Sequence, residues 1–213
     1  MDLTLPDDAT LTRDGFVPET RSGRVLVLAC GALAREILAL IELNGWDHVD
    51  LHCLPALLHN RPDRIPAAVE EAVSRRGADY EQTFVAYADC GTGGLLEATC
   101  QRLGVQMIPG AHCYAFFDGL ATFAAREELT AFYLTDFLAR QFESVIWKPL
   151  GLDRHPELRD MYFGNYETLV YLAQTEDAEL TTRARAAADR LGLAFERRYT
   201  GYGELATVLA ENI

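Results

Sequence analysis

Nowhere does the chain run for the roughly 18 uncharged apolar residues that a membrane span requires, which excludes a helical membrane protein. Basic charge is scarce: 19 lysines and arginines stand against 32 aspartates and glutamates, a formal net charge of -13. Repulsion of that sign opposes unspecific association with nucleic acid or an anionic bilayer. The opening MDLTLPDDATLTRDGFVPETRSGR is acidic and has no apolar run, so it lacks the basic and hydrophobic regions of a secretion signal. A cytoplasmic location is the expectation. A CxxC pair is also missing, and the five cysteines are an odd number. A disulfide framework is therefore disfavoured, and thiols in the core, on a metal or in a reactive role are expected.

What is present suits a globular protein: 213 residues, 49% of them hydrophobic, can bury a real core. After a flexible tail over 1–23, short apolar runs alternate with amphipathic stretches. Strands are expected at 25–29, 49–54, 83–88, 105–109, 131–136, 168–173 and 193–199. Helices are expected at 32–44, 62–76, 93–103, 114–128, 178–191 and 204–210, several of them closed by Gly45, Gly77 or Gly104. The stretch 137–166 is broken by Pro149, Gly151, Pro156 and Gly164 and reads as a helical, loop-rich excursion. Repeated strand–helix alternation predicts a doubly wound, mainly parallel, Rossmann-like α/β sheet. Residues 24–213 are expected to form a single domain. A weak echo between Gly91-Thr-Gly-Gly-Leu95 and Gly201-Tyr-Gly-Glu-Leu205 raises the alternative of two pseudo-repeated lobes.

Four cysteines fall where predicted strands end. Cys30 closes RVLVLAC, Cys53 lies in VDLHC, Cys90 follows FVAYAD and Cys113 ends VQMIPGAHC. In a parallel α/β sheet the carboxyl ends of the strands open on the ligand crevice, so a thiol-lined pocket is the leading expectation. Thiolates and imidazoles are the usual ligands of zinc and other borderline metals. Cys30, Cys90 and Cys113, with His59 or His112, would complete a four-ligand metal site; the three cysteines would equally serve an iron–sulfur cluster. Cys53 is set aside, because LPALLHN can carry His59 to the edge and leave that thiol beneath it.

The densest motif is Tyr87-Ala-Asp-Cys-Gly-Thr-Gly-Gly94. At a strand-to-helix turn the amides of Gly91, Thr92, Gly93 and Gly94 and the helix dipole would favour a small anionic ligand or a thiolate at Cys90. Neither the GxGxxG spacing nor the Lys-Ser/Thr ending of a P-loop is there. A tight turn beside a buried cysteine is the plain alternative. Another use of the same residues is catalytic: Cys90 as thiolate nucleophile, His112 or His59 as base, and helix amides stabilising negative charge. A non-catalytic accessory module remains a third alternative.

Other residues carry less. Cys100 shares the expected apolar face of its helix with Leu95, Leu96 and Leu103 and reads as core. Arg61 could face the pocket beside His59, with Asn60 as a cap. Asp136 suits either a carboxylate holding an imidazole or hydroxyl, or a helix cap. His48, His52 and His155 read as surface or structural residues. The aromatic-rich stretch 132–171 suggests an interface between two copies of the chain, with rings capping the core as the alternative.

Taken together, Cys30-Gly31, LPALLHNRP at 54–62, YADCGTGG at 87–94, HCYAFFDG at 112–119 and YLTDF at 133–137 resemble the uncharacterised family called domain of unknown function 1638. The resemblance covers about residues 24–210. It implies an association with corrinoid-dependent methyl transfer and one-carbon metabolism, and so a corrinoid protein as partner, but names no substrate.

Overall fold

Polar and apolar residues alternate unevenly from the first strands on, and the structure shows why. The computed structural model describes residues 6–18 and 23–213. Two units divide the chain: residues up to Cys113 together with Leu205–Ile213, and Tyr114–Glu204. In the first, β1 (Val25–Cys30) is buried along its whole length, as a strand covered on both faces must be. Its Leu26, Val27 and Leu28 are fully enclosed, each side chain contributing about 1.5–3 kcal/mol by leaving water. β2 (Val49–Leu54) is buried throughout as well, and its Asp50 is paired, accepting hydrogen bonds from the Gly23 amide and the Tyr80 hydroxyl, both at 3.0 Å. β3 (Gln82–Ala86) and β4 (Gln106–Met107) complete a parallel sheet in the order β2-β1-β3-β4.

Parallel neighbours need crossovers, supplied by α2 (Ala34–Asn44), α3 (Ile65–Arg76) and α4 (Leu95–Leu103). Before them, α1 (Asp8–Arg13) is capped by Asp7, and Phe16 bridges to Cys53. Part of the segment expected to be a flexible tail is thus docked on the sheet; its residues 1–5 and 19–22 lie outside the described residues. β4 spans two residues of the five expected; just beyond it the Ile108 amide still donates to the Val85 carbonyl at 3.3 Å, and the chain then leaves the sheet through Pro109 and Gly110. At the end of the chain α10 (Leu205–Asn212) returns to the first unit, where the Asn212 carbonyl accepts from Gln82 at 2.7 Å.

In the second unit, α5 (Ala115–Asp118) and α6 (Leu120–Arg126) replace the single helix expected over 114–128. The break is Gly119, at φ +87, where any other residue would be strained. Next come β5 (Ala131–Leu134), α7 (Asp136–Arg140), α8 (Arg159–Phe163), β6 (Thr168–Ala173), α9 (Ala178–Leu191) and β7 (Ala194–Tyr199). Between α7 and α8 the excursion contains a π-helical turn, Phe142–Trp147, and a succession of tight turns. β5, β6 and β7 form a second all-parallel sheet in that order. The architecture is doubly wound, Rossmann-like α/β, with two sheets where one was expected. Rings of the aromatic stretch pack largely on one another, Phe132 against Phe163 and Tyr166 at 5.1 and 5.6 Å between centroids; Met161 and Tyr162 stay exposed. Among the described residues, no helix is long and apolar enough to cross a membrane.

Candidate functional site

In the first sheet the chain goes from β1 to β2 on one side and then back past β1 to β3 on the other. Strand order reverses between β1 and β3, and in open α/β sheets the ligand crevice opens outside the carboxyl ends of such a pair. Cys30 is the last residue of β1, and Cys90 sits four residues beyond β3. The loops after β3 and β4 are tied by backbone bonds, Asp89 N–H to the Gly110 carbonyl and Cys90 N–H to the Ala111 carbonyl, both at 2.9 Å. That tie brings Cys113 to Cys90, with the two Sγ atoms 3.0 Å apart. The separation is shorter than the roughly 3.5–4.0 Å of ordinary non-bonded contact and longer than the roughly 2.05 Å of a disulfide. All five cysteines are free thiols.

His59 arrives from a short helical turn, Ala56–Asn60, that follows β2 directly. The half-buried imidazole hydrogen-bonds both Cys30 and Cys90. Burial alone would push it down, yet those two bonds and the sulfur charges carry its pKa up to about 10. The Cys90 thiol moves the other way, from 9.0 to about 5. The Cys113 thiol donating to Cys90 is the largest cause; burial opposes it, and the His59 hydrogen bond and positive charge add to it. Cys113 is correspondingly held well above the usual thiol range, by the bond to Cys90 first and by burial second. The arrangement is a thiolate at Cys90 with an imidazolium on one side and a thiol donor on the other. Cys90 is also one of the non-glycine residues with positive φ, at 49°, a backbone state costing on the order of 1–3 kcal/mol that concentrates at functional sites.

Of the sequence-derived candidates, Cys30, Cys90, Cys113 and His59 are therefore brought together. His112 lies close enough to feel the Cys90 and His59 charges, but burial dominates and lowers its pKa; the imidazole bonded to the sulfurs is His59. The amides expected to await an anion are engaged within the loop. Asp89 accepts from the Gly93 amide at 3.0 Å, the Gly94 amide at 2.7 Å and the Thr92 hydroxyl at 2.6 Å, and the Gly91 amide also bonds it. Gly91, Thr92, Gly93 and Gly94 thus form a carboxylate-filled turn that fixes Cys90, while Cys113 and His59 are the side chains that lower the pKa of its thiol. Cys53 is buried beside Cys30 and Glu36, and burial first, then those neighbours, raise its thiol far above the usual range. Cys100 is set apart on α4, pushed by burial alone to about 11. Arg61 pairs with its near neighbour Asp63 at 3.3 Å.

Two participants had no signal of their own in the sequence. Tyr87 is fully enclosed just past β3, and burial first, then Cys30 and Cys113, raise its hydroxyl well above the usual range; its place inside YADCGTGG was the available hint. Gly31 is the other: a Cβ there would sit 2.4 Å from the Leu11 carbonyl oxygen, so only glycine lets α1 close over the end of β1 beside Cys30. Among the described residues, no group of three or more His, Cys, Asp or Glu is arranged to hold a metal ion. A cleft of about 500 Å³ lies at the amino ends of β3 and β4 between Val73, Tyr80, Thr83, Leu103 and Gln106. It contains no cysteine or histidine.

Residues 53–209 match the family described as "Protein of unknown function (DUF1638)". The chain belongs to that family. The match includes His59, Cys90 and Cys113, while Cys30 precedes it. No curated protein and no solved structure matches the chain.

Proposed function

We propose that this family member works through a thiolate at Cys90, which attacks a soft electrophile while His59 acts as counter-ion and proton donor. The observation that carries the reading is the position of the Cys90 sulfur, 3.0 Å from the Cys113 sulfur and hydrogen-bonded by His59. Two donors stabilise the charged sulfur from opposite partners, and that is how a thiol is kept ionised at neutral pH. A buried cysteine serving only as core would gain nothing from either. The strained backbone at Cys90 supports the same reading, because the carboxylate-filled turn holds it at a cost that packing alone does not require.

The test is a titration of thiolate ultraviolet absorbance in the wild type and in Cys90→Ser. The difference should show one thiolate with a midpoint near 5. A midpoint near the ordinary 9.0 would overturn the proposal.

A metal-binding use of the same side chains is the second reading: three thiols and one imidazole are a donor set that suits zinc, and they would have to shift to surround an ion, since no three of the described residues are arranged to hold one. An iron–sulfur cluster on Cys30, Cys90 and Cys113 belongs with it. Metal analysis of anaerobically purified protein decides between the readings: stoichiometric metal lost in each of Cys30→Ser, Cys90→Ser and Cys113→Ser favours the second. The corrinoid and one-carbon context implied by the family resemblance is compatible with the first, since a corrinoid-bound methyl group is a soft electrophile of the class a thiolate attacks. Retention of a corrinoid protein on the immobilised chain would support that context.

A further inference from the structure

We infer that Cys90 and Cys113 form a dithiol that reduces a small hydroperoxide, Cys90 being the sulfur attacked by the oxidant and Cys113 the sulfur that resolves it to a disulfide. The inference rests on the thiolate reading above. Its own support is geometric. The two Sγ atoms stand 3.0 Å apart, so a contraction of about 1 Å reaches bonding distance. The sulfurs of Cys30 and Cys113 each accept a backbone amide at 3.5 Å, from Ala32 and Ala88; Cys113 is the one pressed against the Cys90 sulfur, while Cys30 meets His59. The carbonyls of Gly110 and Ala111 hold both loops in register through the change.

Burial selects the oxidant. Cys90 and Cys113 are 5% and 6% exposed, so an oxidant of a few atoms reaches them where a bulky disulfide does not. In the first step the Cys90 thiolate attacks one oxygen of the peroxide and the O–O bond breaks. The leaving hydroxide takes a proton from the His59 imidazolium and departs as water, leaving Cys90 as a sulfenic acid. In the second step the Cys113 sulfur attacks the Cys90 sulfur, the S–O bond breaks, and the Cys113 proton leaves with the hydroxyl as a second water. Hydrogen peroxide gains two electrons and the two thiols lose them. Neutral His59 and the Cys90–Cys113 disulfide remain.

The experiment treats reduced full-length protein with one equivalent of hydrogen peroxide, blocks remaining thiols in denaturant and maps peptides by mass spectrometry. The expected result is loss of two of the five thiols and a linked peptide pair containing Cys90 and Cys113. In Cys113→Ser, and in Cys113→Ala should serine perturb the fold, a 1,3-diketone should trap Cys90 sulfenic acid. Cys90→Ser should lose thiols at least about tenfold more slowly. Glutathione disulfide in place of peroxide should react far more slowly with the wild type. A Cys30–Cys90 link, sulfinic acid at Cys90 with Cys113 intact, or equal rates with both oxidants would overturn the inference. If the absorbance titration still finds the acidic Cys90 thiolate, those outcomes sink the dithiol and leave the thiolate reading standing.

Discussion

At the carboxyl end of β6 the Asp136 carboxylate is completely buried and accepts from the Tyr171 hydroxyl at 2.6 Å, the Gln174 amide at 3.1 Å and the Thr175 hydroxyl at 2.6 Å. At the carboxyl ends of β1 and β3 the buried groups are sulfurs, pressed together and shared with one imidazole. Both clusters sit where an open α/β sheet places its ligands, yet their chemistry differs. The carboxylate has its lone pairs occupied by fixed neutral donors, which makes it a brace tying α7 to the end of β6. The Cys90 sulfur is charged, polarizable and close to a second sulfur, so it retains a bond-forming option. A saturated buried group stabilises; a soft group pressed against a second sulfur is, on the reading proposed above, the one that reacts.

The largest expected effect comes from breaking the brace. Asp136→Ala leaves two hydroxyls and an amide without an acceptor, and stability in urea should fall by about 3–5 kcal/mol. The absorbance midpoint of Cys90 should not move. A loss below about 1 kcal/mol would mean that the carboxylate does not brace the second sheet.

Next is the sulfur cluster. His59→Gln removes the positive partner, so the Cys90 midpoint should rise from about 5 towards 9.0, and stability should fall by about 2 kcal/mol, the worth of a charge-assisted hydrogen bond. His112→Gln should leave the midpoint nearly unchanged. Equal shifts in the two variants would show that the imidazole role is shared.

The pair also shapes the pH dependence of stability. Cys90 is depressed on folding, so its contribution is complete above 9.0 and is lost as pH falls through about 5. His59 is raised, so its contribution is complete below 6.5 and is lost as pH rises through about 10. Between 6.5 and 9.0 folded and unfolded chains carry one proton on the pair, and its contribution is flat. It should decline from 6.5 down to 5 and from 9.0 up to 10. Wild-type stability minus that of a Cys90→Ser, His59→Gln double variant, followed across pH, isolates the profile; a slope inside the plateau would show that the two groups do not ionise as a pair.

The smallest effect belongs to Cys100→Ser on α4, where a hydroxyl replaces a buried thiol with no charged neighbour. About 1 kcal/mol should be lost, with no change in the Cys90 titration or in peroxide-dependent thiol loss. A changed titration there would show that the sulfur cluster reaches further than its geometry indicates.

Elements whose local rules agreed were legible beforehand. Val49–Leu54, Thr168–Ala173 and Ala178–Leu191 lie where apolar runs and helical periodicity put them, the last reinforced by the Asp177 cap. Where a single residue broke the pattern the outcome differed: Gly119, at φ +87, split the helix expected over 114–128. The sheet pairing had no sequence signal, because buried strands such as β1 and β6 are short apolar runs, any of which fits beside another. The expected tail held a capped helix, since the Phe16 pairing with Cys53 joins residues far apart in sequence.

For the candidate site, the sequence by itself determined that Cys30, Cys90 and Cys113 lie near strand ends and that His59 follows one closely. That is local information, set by apolar runs and the punctuation after them. Only the tertiary structure decided that Cys90 and Cys113 touch, that His59 and not His112 bonds the sulfurs, and that Asp89 fills the glycine turn. Ionisation depends on distance and burial, and both arise when the β2, β3 and β4 loops converge beside the end of β1. A linear order of residues carries neither quantity.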